Sequence, residues 1–190
     1  MQDAQLTLDL ALTVRHDGDG GVADDLTDPA GLTAWVRARP GLAPPGYTAD
    51  TAALAAVRDL RAAVRALFAR SVPGEPSRAD AGRLLPVEEA VARLNAAAAR
   101  VPTVPVLDWP DAGGPVAHRR PARGEDELPS VLARSAVTFL AGPDRDRLRA
   151  CHAPRCVRYF LKDHPRQEWC KPSCGNRARV ARHHERHKGV

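Results

Sequence analysis

Cysteine is absent from the first 150 residues of this 190-residue chain. A domain stapled by disulfides spreads its cysteines along the chain, so this absence argues against such a fold. The N-terminal residues also lack the basic segment and apolar core of a secretory signal. No apolar run has the length that a membrane-spanning helix needs. We therefore expect a cytoplasmic protein that makes no membrane contact.

Motifs of common catalytic sites are missing as well. The sequence contains no glycine-rich phosphate loop, no nucleophile elbow and no His-Glu-x-x-His segment. We therefore expect that the protein is not an enzyme.

The four cysteines that are present form two close pairs near the end of the chain. Cys151 and Cys156 are separated by four residues, Cys170 and Cys174 by three, and thirteen residues divide the pairs. Structural zinc sites use two such pairs of thiolates, joined by a spacer that folds back. Four cysteines can also pair as disulfides in three ways. The spacing favours a single tetrahedral Zn²⁺ site, which is closed to water and substrate.

The residues after the fourth cysteine predict a helix. Gly175 permits a positive φ, Asn176 is a preferred N-cap residue, and residues 177–188 contain no helix breaker. This arrangement places Cys174 at a helix N-terminus, where the helix dipole favours a thiolate. In so small a module, we expect Phe160 and Trp169 to form the core beside the cysteines.

Positive charge is concentrated in the same segment. Residues 145–190 contain thirteen Lys and Arg against four Asp and Glu, a net charge of +9, whereas the other 144 residues carry −4. A basic segment on an acidic body is typical of proteins that bind polyanions. We expect a nucleic acid, with DNA preferred over RNA, as the partner; an acidic protein is the alternative. The candidate phosphate contacts lie on the predicted helix, where guanidinium groups can bind two oxygens at once: Arg177, Arg179, Arg182 and Arg186.

Residue patterns over 1–142 predict a mainly helical domain with a small β element. Leucines alternate with other residues over 5–14, which predicts a strand, and the Asp- and Gly-rich residues 17–21 predict a turn. A hairpin is predicted over 104–118. Helices are predicted where a cap or proline precedes an apolar pattern: from Pro29 to about Pro40, from Thr51 to about Arg70, from Pro86 onward, and from Pro129 to Gly142.

Two of these helices carry more detailed expectations. An apolar stripe along 51–70 should face the core, with Arg58, Arg61 and Arg65 as a solvated flank. In the helix that Pro86 opens, we expect Val87, Val91 and Leu94 to point inward. The last of the four helices should end at Gly142-Pro143, which divides the chain into domains 1–142 and 143–190.

The C-terminal segment resembles the CGNR-type zinc fingers of bacteria over residues 144–190. The matching residues are the four cysteines together with Phe160, Trp169, Gly175, Asn176 and Arg177. In that family the zinc finger follows an N-terminal ABATE domain, and a looser similarity extends over 1–142 at Leu8-Asp9-Leu10, Asp25-Leu26, Leu32 to Trp35, and Leu94-Asn95.

The resemblance implies an α+β protein that ends in a four-cysteine zinc finger with a basic helix. It also implies a stress-related transcription regulator that binds zinc and nucleic acid. Two other functions stay open at this point: a zinc-stabilised module for protein interaction, and a thiol-based redox sensor. A ligand or signal for the N-terminal domain cannot be read from the sequence.

Overall fold

The computed structural model describes residues 2–17, 19, 21–125 and 127–187. The Asp- and Gly-rich turn predicted over 17–21 therefore lies partly outside the described residues, as does residue 188, the last residue of the helix predicted over 177–188. The elements run in the order α1 (Gln2–Ala11), β1 (Val14–His16), β2 (Val22–Asp24), α2 (Pro29–Arg37), α3 (Thr51–Ser71), α4 (Val87–Ala99), β3 (Thr103–Asp108), β4 (Val116–Pro121), α5 (Leu128–Ala141), a 3₁₀ turn (Pro143–Arg147), β5 (Leu148–Ala150), β6 (Tyr159–Leu161) and α6 (Pro172–His187).

Among the described residues, the strands form three separate antiparallel pairs, β1 with β2, β3 with β4, and β5 with β6. Helix α3 lies at the centre and packs against α1, α2, α4 and α5. The α+β class, with helices predominating, is thus confirmed. None of the described helices is both long and apolar enough to cross a membrane.

Helix α3 forms where the sequence predicts it. Asp50 caps it by accepting a hydrogen bond from the backbone N–H of Ala53 at 2.7 Å. The apolar residues of its stripe are buried, and each large side chain contributes roughly 1.5–3 kcal/mol by leaving water: Leu54, Val57, Leu60, Val64, Leu67 and Phe68.

The strand predicted over residues 5–14 is wrong, because residues 2–11 form helix α1. Five described residues of α1 are buried, and four of them recur at steps of three and four, which is the helical period: Ala4, Thr7, Leu8 and Ala11, the fifth being Leu10. Alanine and threonine side chains form part of this buried face. The prediction considered only the alternation of the leucines, which suggested a strand. Leucine is also a much better helix former than strand former.

In α4, the prediction of the inward face is wrong in two of three positions. Leu94 is buried, but Val87 and Val91 are 37% and 41% exposed. The helix instead buries Ala90, four residues before Leu94, in the contacts with α3 and α5. Small alanines let the neighbouring helices approach closely on this side, so the valines are left at the surface.

The arginines of α3 are not a solvated flank. Arg61 and Arg65 are 8% and 5% exposed, and each has a carboxylate partner, Asp24 for Arg61 and Asp80 for Arg65. Only Arg58 is largely exposed, at 42% of its side chain. Sequence periodicity placed these arginines beside the apolar stripe, but it could not show acidic partners from other segments.

Candidate metal centre and basic helix

The four cysteine sulfurs lie within 4.8 Å of one another, and three of the four residues are buried. Cys156 Sγ is 3.8 Å from Cys170 Sγ, which in turn is 3.5 Å from Cys174 Sγ. These separations exceed the ~2.05 Å of a disulfide bond. A tetrahedral zinc ion with Zn–S bonds of about 2.3 Å holds its sulfurs about 3.8 Å apart. The donor set and its spacing therefore fit Zn²⁺.

The first cysteine pair sits on the loop of the β5–β6 hairpin. Cys151 donates its backbone N–H to the carbonyl of Arg158 at 2.8 Å, and Cys156 donates to the carbonyl of Ala153 at 2.9 Å. Between them Arg155 adopts φ 63°, the only positive φ of a non-glycine residue in the described chain. This left-handed turn folds the loop tightly enough to bring the two thiols together.

The second pair lies at the start of α6, which begins at Pro172. The predicted N-cap role of Asn176 is therefore wrong, because this residue lies inside the helix. The carbonyl of Lys171 accepts the backbone N–H groups of Cys174 at 3.0 Å and Gly175 at 3.4 Å. Cys174 is thus in the first helical turn, where the helix dipole favours a thiolate.

Gly175 is required for packing and not for a positive φ, which it does not adopt. A Cβ atom at this position would lie 3.0 Å from Cδ1 of the Trp169 ring. The ring can lie against α6 because glycine leaves this space open. Trp169 packs beside a small cluster that is separate from the main core and consists of Cys151, Ala153, Cys156, Phe160 and Cys174.

The four neighbouring thiols shift one another's pKa. A hydrogen bond from Cys156 lowers the pKa of Cys151, and the same contact raises the pKa of Cys156. Contact with Cys151 also raises the pKa of Cys170. Several thiolates cannot be charged side by side without a cation, so Zn²⁺ binding releases protons. Backbone N–H groups support the charged form: Cys170 donates to Cys151 Sγ at 3.5 Å.

The four arginines of α6 fall into two groups. Arg177 turns back to the metal centre and donates from Nη2 to Cys174 Sγ at 3.1 Å. The other three lie along one open groove of the helix together with Val180, His183 and Glu185: Arg179, Arg182 and Arg186. Arg179 donates a hydrogen bond to Asn176 Oδ1. Within the part of the chain that the structure describes, the only hydrogen bonds of the Arg182 and Arg186 side chains are to carbonyls of their own helix.

A buried polar network joins the loop of the β5–β6 hairpin to α3, and no local pattern in the sequence predicts it. Arg65 forms a two-point ion pair with Asp80, with Nε–Oδ1 2.7 Å and Nη2–Oδ2 3.1 Å. The Tyr159 hydroxyl donates to Asp80 Oδ2 at 2.6 Å. Ser77 donates to the carbonyl of Val157, directly after Cys156, at 2.6 Å. Burial and the Asp80 carboxylate raise the pKa of Tyr159, so its hydroxyl stays a donor.

The fold and the cysteine cluster define a zinc-finger protein with a helical N-terminal region. The sequence model of the ABATE family, described as putative stress-induced transcription regulators, matches residues 4–143. That of the CGNR zinc finger matches residues 147–187. The chain belongs to the ABATE family, with a CGNR zinc finger at its C-terminal end, and the resemblance read from the sequence is confirmed. Both families are of regulator and zinc-finger type, not enzymes. No curated protein matches the chain.

Proposed function

We propose that the protein is a transcription regulator that binds DNA through helix α6, with the Zn²⁺ centre holding that helix in place. Membership of a family of transcription regulators supports this function. The four cysteines would hold the metal, which is structural because four thiolates leave no position for a substrate.

The observation that carries the proposal is the way α6 is attached. Among its described side chains, only Cys174 and Ala178 are buried, so the helix is anchored by its first two turns. The remainder presents Arg179, Arg182 and Arg186 to solvent. A guanidinium group that is fixed in orientation but not buried is well placed to bind phosphate oxygens.

The four arginines have separate roles in this proposal. Arg179, Arg182 and Arg186 contact backbone phosphates, whereas Arg177 offsets the negative charge of the cysteine thiolates through its contact with Cys174. Phe160 and Trp169 pack against the cysteines and support the zinc centre without touching the nucleic acid.

Fluorescence anisotropy with a labelled duplex DNA tests the proposal. For three phosphate contacts, log affinity should fall against log salt with a slope of about −3. Replacing both Arg182 and Arg186 by Ala should weaken binding equally for unrelated sequences and reduce the slope by about 2. Zinc content, measured by elemental analysis, should stay at one per chain.

The matched control replaces two exposed arginines outside the finger, Arg70 and Arg78, by Ala. That variant has the same net charge as the α6 variant and should bind like the parent protein. If the full-length, zinc-loaded protein fails to bind DNA at 50 mM salt, or if both double variants bind equally, the proposal is wrong. A protein-interaction function would then be preferred.

A further inference from the structure

We propose that a cavity between the β1–β2 hairpin and the zinc finger binds a phosphate group. The cavity has a volume of about 300 Å³ and lies beside Cys156. Four cations line it, each from a different segment of the chain: Arg15 from β1, Arg158 from the β5–β6 loop, Lys171 from the turn before α6, and Arg177 from α6.

Two of these cations have no partner for their charge. Arg158 is half-buried and Lys171 exposed, and within the described chain neither side chain makes a hydrogen bond or ion pair. A half-buried guanidinium group next to other cations is unfavourable, because like charges repel and burial removes solvating water. An anion in the cavity would remove both costs.

Arg177 adds a buried donor that lacks an acceptor. Its Nη2 is used by Cys174 Sγ, whereas its Nε is buried and has no hydrogen-bond partner. Most buried donors in folded proteins are paired. Arg177 also lines the cavity, so its positive charge adds to the attraction for an anion there.

Arg15 can contribute without losing the partner that it has. Its Nε binds Asp25 Oδ1 at 2.5 Å, which leaves the two terminal nitrogens for a second acceptor. One carboxylate, that of Asp17, also lines the cavity. Its Oδ1 accepts backbone hydrogen bonds from Asp19 and Gly21, each at 2.9 Å, which disperse part of its negative charge.

Phosphate suits this cavity better than a carboxylate does. A phosphate group offers three or four oxygens in a tetrahedral array, and the surrounding cations come from four different segments. The phosphate belongs either to a nucleic-acid backbone or to a free phosphate compound. In the first case the site rests on the proposed function and extends it, since Arg15 would bring the N-terminal domain into contact with DNA. In the second case it is independent of DNA binding.

The test uses full-length, zinc-loaded protein and the Arg158→Gln variant, with Arg70→Gln as the control of equal charge. Thermal unfolding is measured in sodium phosphate and in sodium chloride of matched ionic strength. Binding of a duplex DNA is measured in parallel. If the site takes free phosphate, phosphate raises the melting temperature of the parent and of Arg70→Gln, but not of Arg158→Gln.

If the phosphate is that of DNA, the melting temperature is the same in sodium phosphate and in sodium chloride. Arg158→Gln then weakens DNA binding about tenfold and reduces the salt slope by about 1, whereas Arg70→Gln leaves both unchanged. The proposal is overturned if Arg158→Gln and Arg70→Gln behave alike in both measurements. Failure of the Arg182 and Arg186 double variant to alter DNA binding would contradict only the proposed role of α6.

Discussion

At the scale of single residues, the charges buried in the described chain are those of Arg61, Arg65 and Asp80. Arg65 and Asp80 form the most enclosed pair, with side chains 6% and 7% exposed. The guanidinium also donates to the carbonyl of Ala11 at 2.5 Å, and its centre lies 5.3 Å from the ring of Tyr159. Arg65 therefore connects α1, α3 and the zinc-finger segment. Its positive charge is balanced by one carboxylate, that of Asp80.

Replacing Asp80 by Asn should destabilise the protein by about 3–5 kcal/mol, because it leaves a buried arginine without a counter-charge. Urea unfolding followed by circular dichroism, with zinc present, measures the effect. Asp59→Asn is the matched control. Because Asp59 pairs with Arg93 on an exposed surface, this variant should lose far less stability than Asp80→Asn. Equal unfolding midpoints for the two variants would show that the Asp80 charge contributes little.

Local signals in the sequence were sufficient for α3 and for the cysteine pairs. The capping residue Asp50 directly precedes the helix that carries the apolar stripe. The two cysteine pairs have a spacing that is typical of zinc sites and is shared by few other kinds of site. The network around Asp80 could not be predicted, because its members are far apart in sequence: Tyr159 is 79 residues from Asp80. Because Arg61 and Arg65 are charged, the sequence predicted that they are exposed to solvent. Their carboxylate partners come close only in the folded chain.

At the scale of elements, the β1–β2 hairpin is held to α3 by an ion pair. Asp24 in β2 binds Arg61 through both oxygens, each at 2.6 Å, and lies 3.8 Å from Arg58. Partial burial of Asp24 acts to raise its pKa, but the hydrogen bonds from Arg61 and from the backbone of Leu26 outweigh burial, so the pKa is lowered below its ordinary value. The hairpin's attachment therefore depends on a charged carboxylate.

The sign of the pH dependence follows from this lowered pKa. A carboxylate with a lowered pKa stabilises the folded state fully above its unfolded pKa of about 3.9, and the contribution is lost as pH falls through the folded value. Asp24→Asn removes it at every pH. The difference in stability between parent and variant should thus be large at pH 7 and should shrink below about pH 4.

Urea unfolding of both proteins at pH 7, 5 and 3.5 measures that difference, and loss of zinc at acid pH affects both alike. Asp25→Asn serves as the control, because Asp25 and its partner Arg15 are 40% and 50% exposed and the pair is screened by solvent. A difference between the parent and Asp24→Asn that stayed constant with pH would mean that the Asp24 charge is not what holds the hairpin.

At the scale of the whole molecule, the main core extends across the predicted boundary at Gly142. Leu148, Ala150 and Tyr159 belong to the same buried cluster as the residues of α3. The ring of Tyr159 packs edge-on against Phe68, with 5.3 Å between ring centroids. The division into domains 1–142 and 143–190 stays a prediction, and these contacts give it a measurable consequence.

A fragment of residues 1–142 should be less stable than the full chain by roughly 3–6 kcal/mol. It lacks the buried side chains of Leu148 and Tyr159, and the burial of each contributes about 1.5–3 kcal/mol. Thermal and urea unfolding of the purified fragment measure this loss. A chain ending at Val180 is the control. It keeps the four cysteines and removes only the part of α6 in which no described side chain is buried, so its stability should match that of the full chain.

If the 1–142 fragment unfolded at the same urea concentration as the full chain, the shared core would contribute little to stability. Residues 1–142 would then be a domain whose stability does not depend on the rest of the chain.

The hydrogen bond between Tyr159 and Asp80 also has a consequence for synthesis of the protein. The two residues are separated by 79 positions, and a ribosome adds about 5–20 residues per second. Tyr159 is therefore made roughly 4–16 s after its partner. Throughout that interval, the nascent chain lacks the Tyr159 ring that packs against Phe68 and the Tyr159 hydroxyl that binds Asp80. Because the segment made last closes the core of the segment made first, a chain whose translation stops early is left with an open core.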